Sequence, residues 1–166
     1  MAASPRIEAH DRAIFQLRKT LTTETAPLAL RFRALFSLKH LASQPICSPQ
    51  TLPAIQAIAA AFASPSALLK HELAYCLGQT RNLAAAPLLR AVLEDKHEDS
   101  MCRHEAAEAL GALGDVESLD VLKQLRDSRE ETVVVRETCE IAVARIEWEN
   151  SEQRKGERLG QRYTHP

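Results

Sequence analysis

A chain of 166 residues with a formal net charge of −1, 45% apolar and 26% charged, has the balance of one domain with a core of its own. The near-zero charge offers no general attraction to phosphate, which argues against a nucleic-acid partner. No apolar stretch reaches the roughly 20 residues that cross a bilayer, and the opening MAASPRIEAHDRAIF lacks the apolar segment of a secretory signal. A soluble, intracellular protein with no membrane partner is the expectation.

Many Ala and Leu, five glycines and only 4% aromatic residues favour helix over sheet, so the expected fold class is all-α. Apolar periodicity predicts helices near 6–21, 27–43, 51–62, 66–80, 84–95, 100–113, 117–127 and 132–149, separated by breaks rich in Ser, Pro, Asp and Gly. Ser66 and Ser100 are placed to cap the helices they open, and Gly114-Asp115 to stop the helix before it. After Trp148 the segment ENSEQRKGERLGQRYTHP is polar and patternless. A repeat domain over 1–149 and a polar tail or linker over 150–166 are therefore expected. Cys47, Cys76, Cys102 and Cys139 form no C-x-x-C pair. They are expected as free thiols, the last three as small core residues.

The helices pair near 6–43, 51–80, 84–113 and 117–149, and the second helix of each pair resembles the others. KHELAYCLG (70–78) lies on RHEAAEALG (103–111) at an offset of 33, and RFRALFSLK (31–39) fits at an offset of 39. The six extra residues fall in the loop ASQPICSPQ. RETCEIAVA (136–144) fits less cleanly, at 32 or 33, and has no His. Units that cannot bury their apolar stripes alone stack on their neighbours, so the pattern predicts an α-solenoid of four HEAT-like helical hairpins.

Two of the four second helices carry His-Glu: His71-Glu72 and His104-Glu105. At about 100° per residue, Leu69, Leu73, Cys76 and Leu77 gather into one apolar stripe, and Cys102, Ala106, Ala109 and Leu110 into another. His71 falls opposite its stripe near Tyr75 and Gly78, and His104 near Glu108 and Gly111. Second helices of adjacent repeats run side by side about 8–10 Å apart, so His71 is expected beside His104, with Glu72 and Glu105 towards the same flank. Two imidazoles and a carboxylate with open positions suit non-haem iron(II), and zinc accepts the same donors. A third His-Glu, His97-Glu98, falls in a break beside Asp95, Asp99 and Ser100 and is expected as solvated loop. Tyr75 and Glu108 are candidates for ordering the ligands, with plain groove lining as the simpler role.

RFRALFSLKHL, SALLKHELAYCLGQ, RHEAAEALGALGD and ETCEIAVARIEW closely resemble the N-terminal half of deoxyhypusine hydroxylase, a HEAT-repeat di-iron monooxygenase family, over roughly residues 28 to 149. The resemblance implies hydroxylation of the deoxyhypusine side chain on a translation initiation factor, with Fe(2+) as cofactor, in the cytoplasm and with the nucleus as a further compartment. It makes His71, His104 and Glu105 ligands of one iron. Glu72 becomes either a further ligand or the carboxylate facing the substrate amine. The family has four His-Glu motifs in two pseudo-symmetric halves, and this chain has two. The expectation is one half of a di-iron site, completed by a missing C-terminal half or by a face-to-face homodimer. The alternative is a non-catalytic HEAT scaffold that grips a peptide without metal.

Overall fold

The computed structural model describes residues 5–45, 48–154 and 156, with side chains from residue 11 onward. Its α-helices are α1 (Pro5–Thr22), α2 (Leu28–Ala42), α3 (Thr51–Ala59), α4 (Ala67–Gln79), α5 (Ala86–Glu94), α6 (Ser100–Leu113), α7 (Leu119–Asp127) and α8 (Val133–Glu149). Single 3-10 turns at Ala60–Ala63, Leu83–Ala85 and Val116–Ser118 tighten three of the connections. No strand occurs among the described residues, and none of their helices is long and apolar enough to cross a membrane. The helices alternate as outer and inner members of four hairpins, with α2, α4, α6 and α8 packed in succession.

Both predicted apolar stripes are buried: Leu69, Leu73, Cys76 and Leu77 on α4, and Cys102, Ala106, Ala109 and Leu110 on α6. Each fully buried leucine removes enough apolar surface from water to contribute about 2 kcal/mol. Burial pushes the Cys76 and Cys139 thiols up to about 12 and Cys102 up to about 11, so all three are protonated core residues rather than nucleophiles. Cys47 lies outside the described residues, as does most of the expected tail; α8 ends at Glu149, with Asn150 as its C-cap.

Ser66 caps α4, its Oγ accepting from the Leu69 N–H at 3.2 Å. At α6 the cap is Asp99 rather than Ser100: Asp99 Oδ1 accepts from the Met101 N–H at 2.9 Å, and Ser100 is already the first helical residue. A carboxylate suits that position better, since it meets the positive end of the helix dipole as well as an orphan N–H. Gly114 closes α6 at φ 70°, the left-handed conformation that spares glycine a Cβ clash.

One basic position recurs through the inner helices. The guanidinium Nε of Arg31 donates to the Leu21 carbonyl at 2.8 Å, that of Arg103 to Leu93 at 2.8 Å, and that of Arg136 to Arg126 at 3.4 Å. Each reaches ten residues back to the end of its own hairpin's outer helix. Arg103 then grips Glu131, 28 residues ahead, in a bidentate pair at 2.7 and 2.5 Å. Lys70 holds Glu98, also 28 residues ahead, at 2.5 Å. Glu98 is therefore not a solvated loop residue; its side chain is 9% exposed and anchors one repeat to the next. His97 beside it is exposed and points to no inner-helix ligand.

Gly78 and Gly111 do not lie on an open face. A Cβ on Gly78 would stand 2.8 Å from Ala109 Cβ and 3.0 Å from Ala109 Cα. A Cβ on Gly111 would stand 3.0 Å from Ala142 Cα. The seven-residue spacing from His to Gly is thus explained: glycine lets the next inner helix come close one to two turns beyond each histidine. Gly78→Ala is expected to destabilise the chain by about 1–3 kcal/mol through overpacking, less about 1 kcal/mol regained in helix propensity. Chemical denaturation measures the balance.

Candidate metal centre

Two side-chain contacts join the inner helices one residue beyond the sequence offset, while the glycine approaches, Gly78 to Ala109 and Gly111 to Ala142, span 31 residues. His71 on α4 faces Glu105 on α6, with Nε2 to Oε2 at 3.2 Å. His104 on α6 faces Thr138 on α8, with Nδ1 to Oγ1 at 2.6 Å. Each histidine therefore looks onto the position after its equivalent in the next repeat, not onto the equivalent itself. Their common neighbour is Glu105.

Glu105 is buried on α6, at 7% exposure, between the two histidines. Burial raises its carboxyl above the usual range; His71 pulls it back down, and Glu108 and Glu72 push it up. One His104 nitrogen and one oxygen each from Glu105 and Glu108 lie within 4.8 Å of one another. His104 Nε2 stands 3.9 Å from Glu108 Oε2. Among the described residues, the ion-pair partners of Glu72, Glu105 and Glu108 are the two histidines alone. Carboxylates and an imidazole converge there with no Lys or Arg ion-paired to them among the described residues, a donor set that fits a divalent cation such as iron(II) or zinc.

Glu72 is placed differently. Its Oε1 lies 3.7 Å from His71 Nδ1, its side chain is 26% exposed, and it is outside the group formed by His104, Glu105 and Glu108. Glu108 belongs to that group, with its side chain 60% exposed at the rim. Tyr75, at 42% exposure, lines the open face. Beside His104 an apolar-walled cavity of about 220 Å³ is lined by Gly111, Thr138, Ile141, Ala142 and Arg145 as well as His104 and Glu108. Thr138 was not singled out from sequence, although it stands 33 residues beyond Glu105, at the glutamate position of the repeat.

The raised carboxyl of Glu105 has a definite sign. A group whose folded value lies above its unfolded value contributes stability below the unfolded value and loses it as pH rises through the folded one. At neutral pH, ionised Glu105 is thus a burden on the metal-free chain. Glu105→Gln is expected to melt above the parent at neutral pH without metal, and the gap should close as pH falls into the carboxylate range. Thermal melts across pH read this directly.

The HEAT repeats family model matches residues 55–144, more than half of the chain. The chain belongs to the HEAT-repeat family. Over 158 residues this HEAT chain is 64% identical to the deoxyhypusine hydroxylase of Aspergillus clavatus, covering 95% of the chain and 47% of that protein. It is 70% identical over 147 residues to the deoxyhypusine hydroxylase of Chaetomium globosum, covering 88% of the chain and 43% of that protein. Human deoxyhypusine hydroxylase, solved in complex with glycerol, superposes with a TM-score of 0.77 at 43% identity, covering 90% of this HEAT chain and 48% of the human one. The chain spans about half the length of the curated relatives it matches.

Proposed function

We propose that the chain supplies one half of the di-iron site of a deoxyhypusine hydroxylase, a monooxygenase acting on the deoxyhypusine side chain of a translation initiation factor. The observation that carries the reading is Glu105, buried between His71 and within reach of His104, in a chain 64% identical to a relative of that name. His71, His104 and Glu105 would hold one Fe(2+), with Glu108 as the additional carboxylate at the rim. The iron, when bound, supplies activation of dioxygen.

The protein's own part is positional and electrostatic. The α4 and α6 backbones fix the two imidazoles, and close approach at Gly78 keeps the helices near enough for Glu105 to serve both. Glu72, partly exposed beside His71, offers a negative charge to an amine of the incoming side chain. The acyclic amine-bearing side chain fits a site with acidic groups at the rim better than an anion would. The second iron would come from a further pair of His-Glu helices, in a C-terminal half or in a second copy turned face to face. Three buried, unpaired thiols suit a reducing compartment, the cytoplasm with the nucleus as a further location.

The test loads the chain with iron(II) anaerobically, alone and with a matching C-terminal half. Deoxyhypusine-bearing initiation factor is then added with oxygen, and the mass gain of one oxygen atom on the factor is followed. Hydroxylation that needs iron and both halves is the expected result. A chain that binds the factor equally well with and without chelator, and takes up no iron, would instead be a peptide-gripping scaffold.

A further inference from the structure

We propose that Thr138 is a positioning residue that holds the His104 ring with its proton on Nδ1, so that Nε2 is the bare nitrogen facing the carboxylates. The argument is a hydrogen count. Thr138 Oγ1 lies 2.8 Å from the Val134 carbonyl, one turn back on α8, and 2.6 Å from His104 Nδ1. A carbonyl only accepts, and a threonine hydroxyl has one hydrogen, which goes to Val134. The oxygen can then only accept from the ring, so Nδ1 carries the hydrogen. The Val134 carbonyl also takes the Thr138 backbone N–H within α8, but the opposite tautomer, with the hydroxyl donating to the ring, would leave two oxygens 2.8 Å apart with no hydrogen between them.

The neutral imidazole has one N–H, so a donor at Nδ1 leaves a lone pair at Nε2. That nitrogen is the one 3.9 Å from Glu108 Oε2. The ring's other neighbours by geometry are Glu105 and Gly111 on its own helix and the cavity wall of Ile141, Ala142 and Arg145 on α8. A threonine suits this place because α8 carries no His-Glu. Where the preceding seam presents a carboxylate to His71, this one presents a neutral oxygen whose hydrogen is already committed to the helix backbone. Thr138 is 9% exposed, so water does not compete freely for the ring N–H.

The consequence for metal binding rests on the reading of His104 as an iron ligand, but the placement of the proton does not. Long-range proton–nitrogen correlation spectra of the metal-free, ¹⁵N-labelled chain distinguish a protonated from a bare ring nitrogen. In the parent, His104 should show a bare Nε2. Thr138→Val should shift the ring towards the other tautomer, and Thr138→Ser, which keeps the hydroxyl, should restore the parent pattern. Iron(II) affinity should fall about 10- to 100-fold in Thr138→Val, as for other groups that orient a ligating histidine, and recover in Thr138→Ser. A parent ring protonated at Nε2, or a tautomer unmoved by Thr138→Val in a folded chain, overturns the proposal. A Thr138-dependent tautomer in a parent that binds no iron supports the proton placement and sinks the iron reading instead.

Discussion

Alanine at His71 or at His104 is expected to lower iron(II) affinity by more than about 100-fold, while alanine at His97 leaves it unchanged. Loss of a group that merely orients a ligand costs about 10- to 100-fold, so loss of a ligand itself should exceed that range. His71 reaches Glu105 across the α4–α6 seam and His104 lies beside it on α6, whereas His97 stands exposed in the connection before α6. Neither substitution creates a large cavity, since both rings are partly exposed, at 30% and 23%. Circular dichroism should therefore remain that of the parent, and metal content by plasma spectrometry after anaerobic loading isolates the ligand effect. Equal iron in all three variants would remove the two inner-helix histidines from the site.

Arg103→Ala is expected to cost about 3–5 kcal/mol, the range for removing one partner of a buried, hydrogen-bonded ion pair. Both members are buried, Arg103 at 5% and Glu131 at 6% side-chain exposure. Truncation would strand Glu131, whose carboxyl the Arg103 guanidinium holds below its usual value, and would also free the Leu93 carbonyl. Because the folded value is depressed, this contribution is present above the unfolded carboxylate range and is lost as pH falls through the folded one. Acid should therefore unfold the parent partly through this pair, and Arg103→Ala should flatten that part of the pH profile. Arg136→Ala is the control. The same position on α8 has a single long contact, at 3.4 Å to the Arg126 carbonyl, and should change stability by less than about 1 kcal/mol. Urea melts of the two variants make the comparison.

The eight α-helices among the described residues, their pairing and the apolar stripes were legible in the sequence because helical period and repeat offset report backbone geometry that neighbouring helices share. The caps were nearly so: Ser66 holds its predicted place, while Asp99 takes the one expected for Ser100, since both residue types cap and their order decides which comes first. The candidate site was read from the paired His-Glu helices; the contacts that join them, His71 to Glu105 and His104 to Thr138, were not, because an alignment of repeats gives equivalent positions and not the direction in which long side chains lean across a seam. Thr138 carried no signal, since its window stands out only for having no His. The recurrent Arg31, Lys70, Arg103 and Arg136 opened every aligned window. The reach of the three arginines back to the outer helix could not be foreseen, because it joins atoms ten residues apart through the hairpin turn.

The way the inner helices answer one another also bears on the building block of the site. His71 is answered by Glu105 and His104 by Thr138 on the coil that follows, while the tight group of donors, His104, Glu105 and Glu108, lies on α6 alone. The His-to-Glu contact belongs to the boundary between two coils, so a run of such helices holds one fewer contact of this kind than it has members. Excising 33 residues from 72 to 104 would splice His71 onto Glu105 and bring that histidine to Thr138, leaving a continuous shorter superhelix with no His-to-Glu boundary at all.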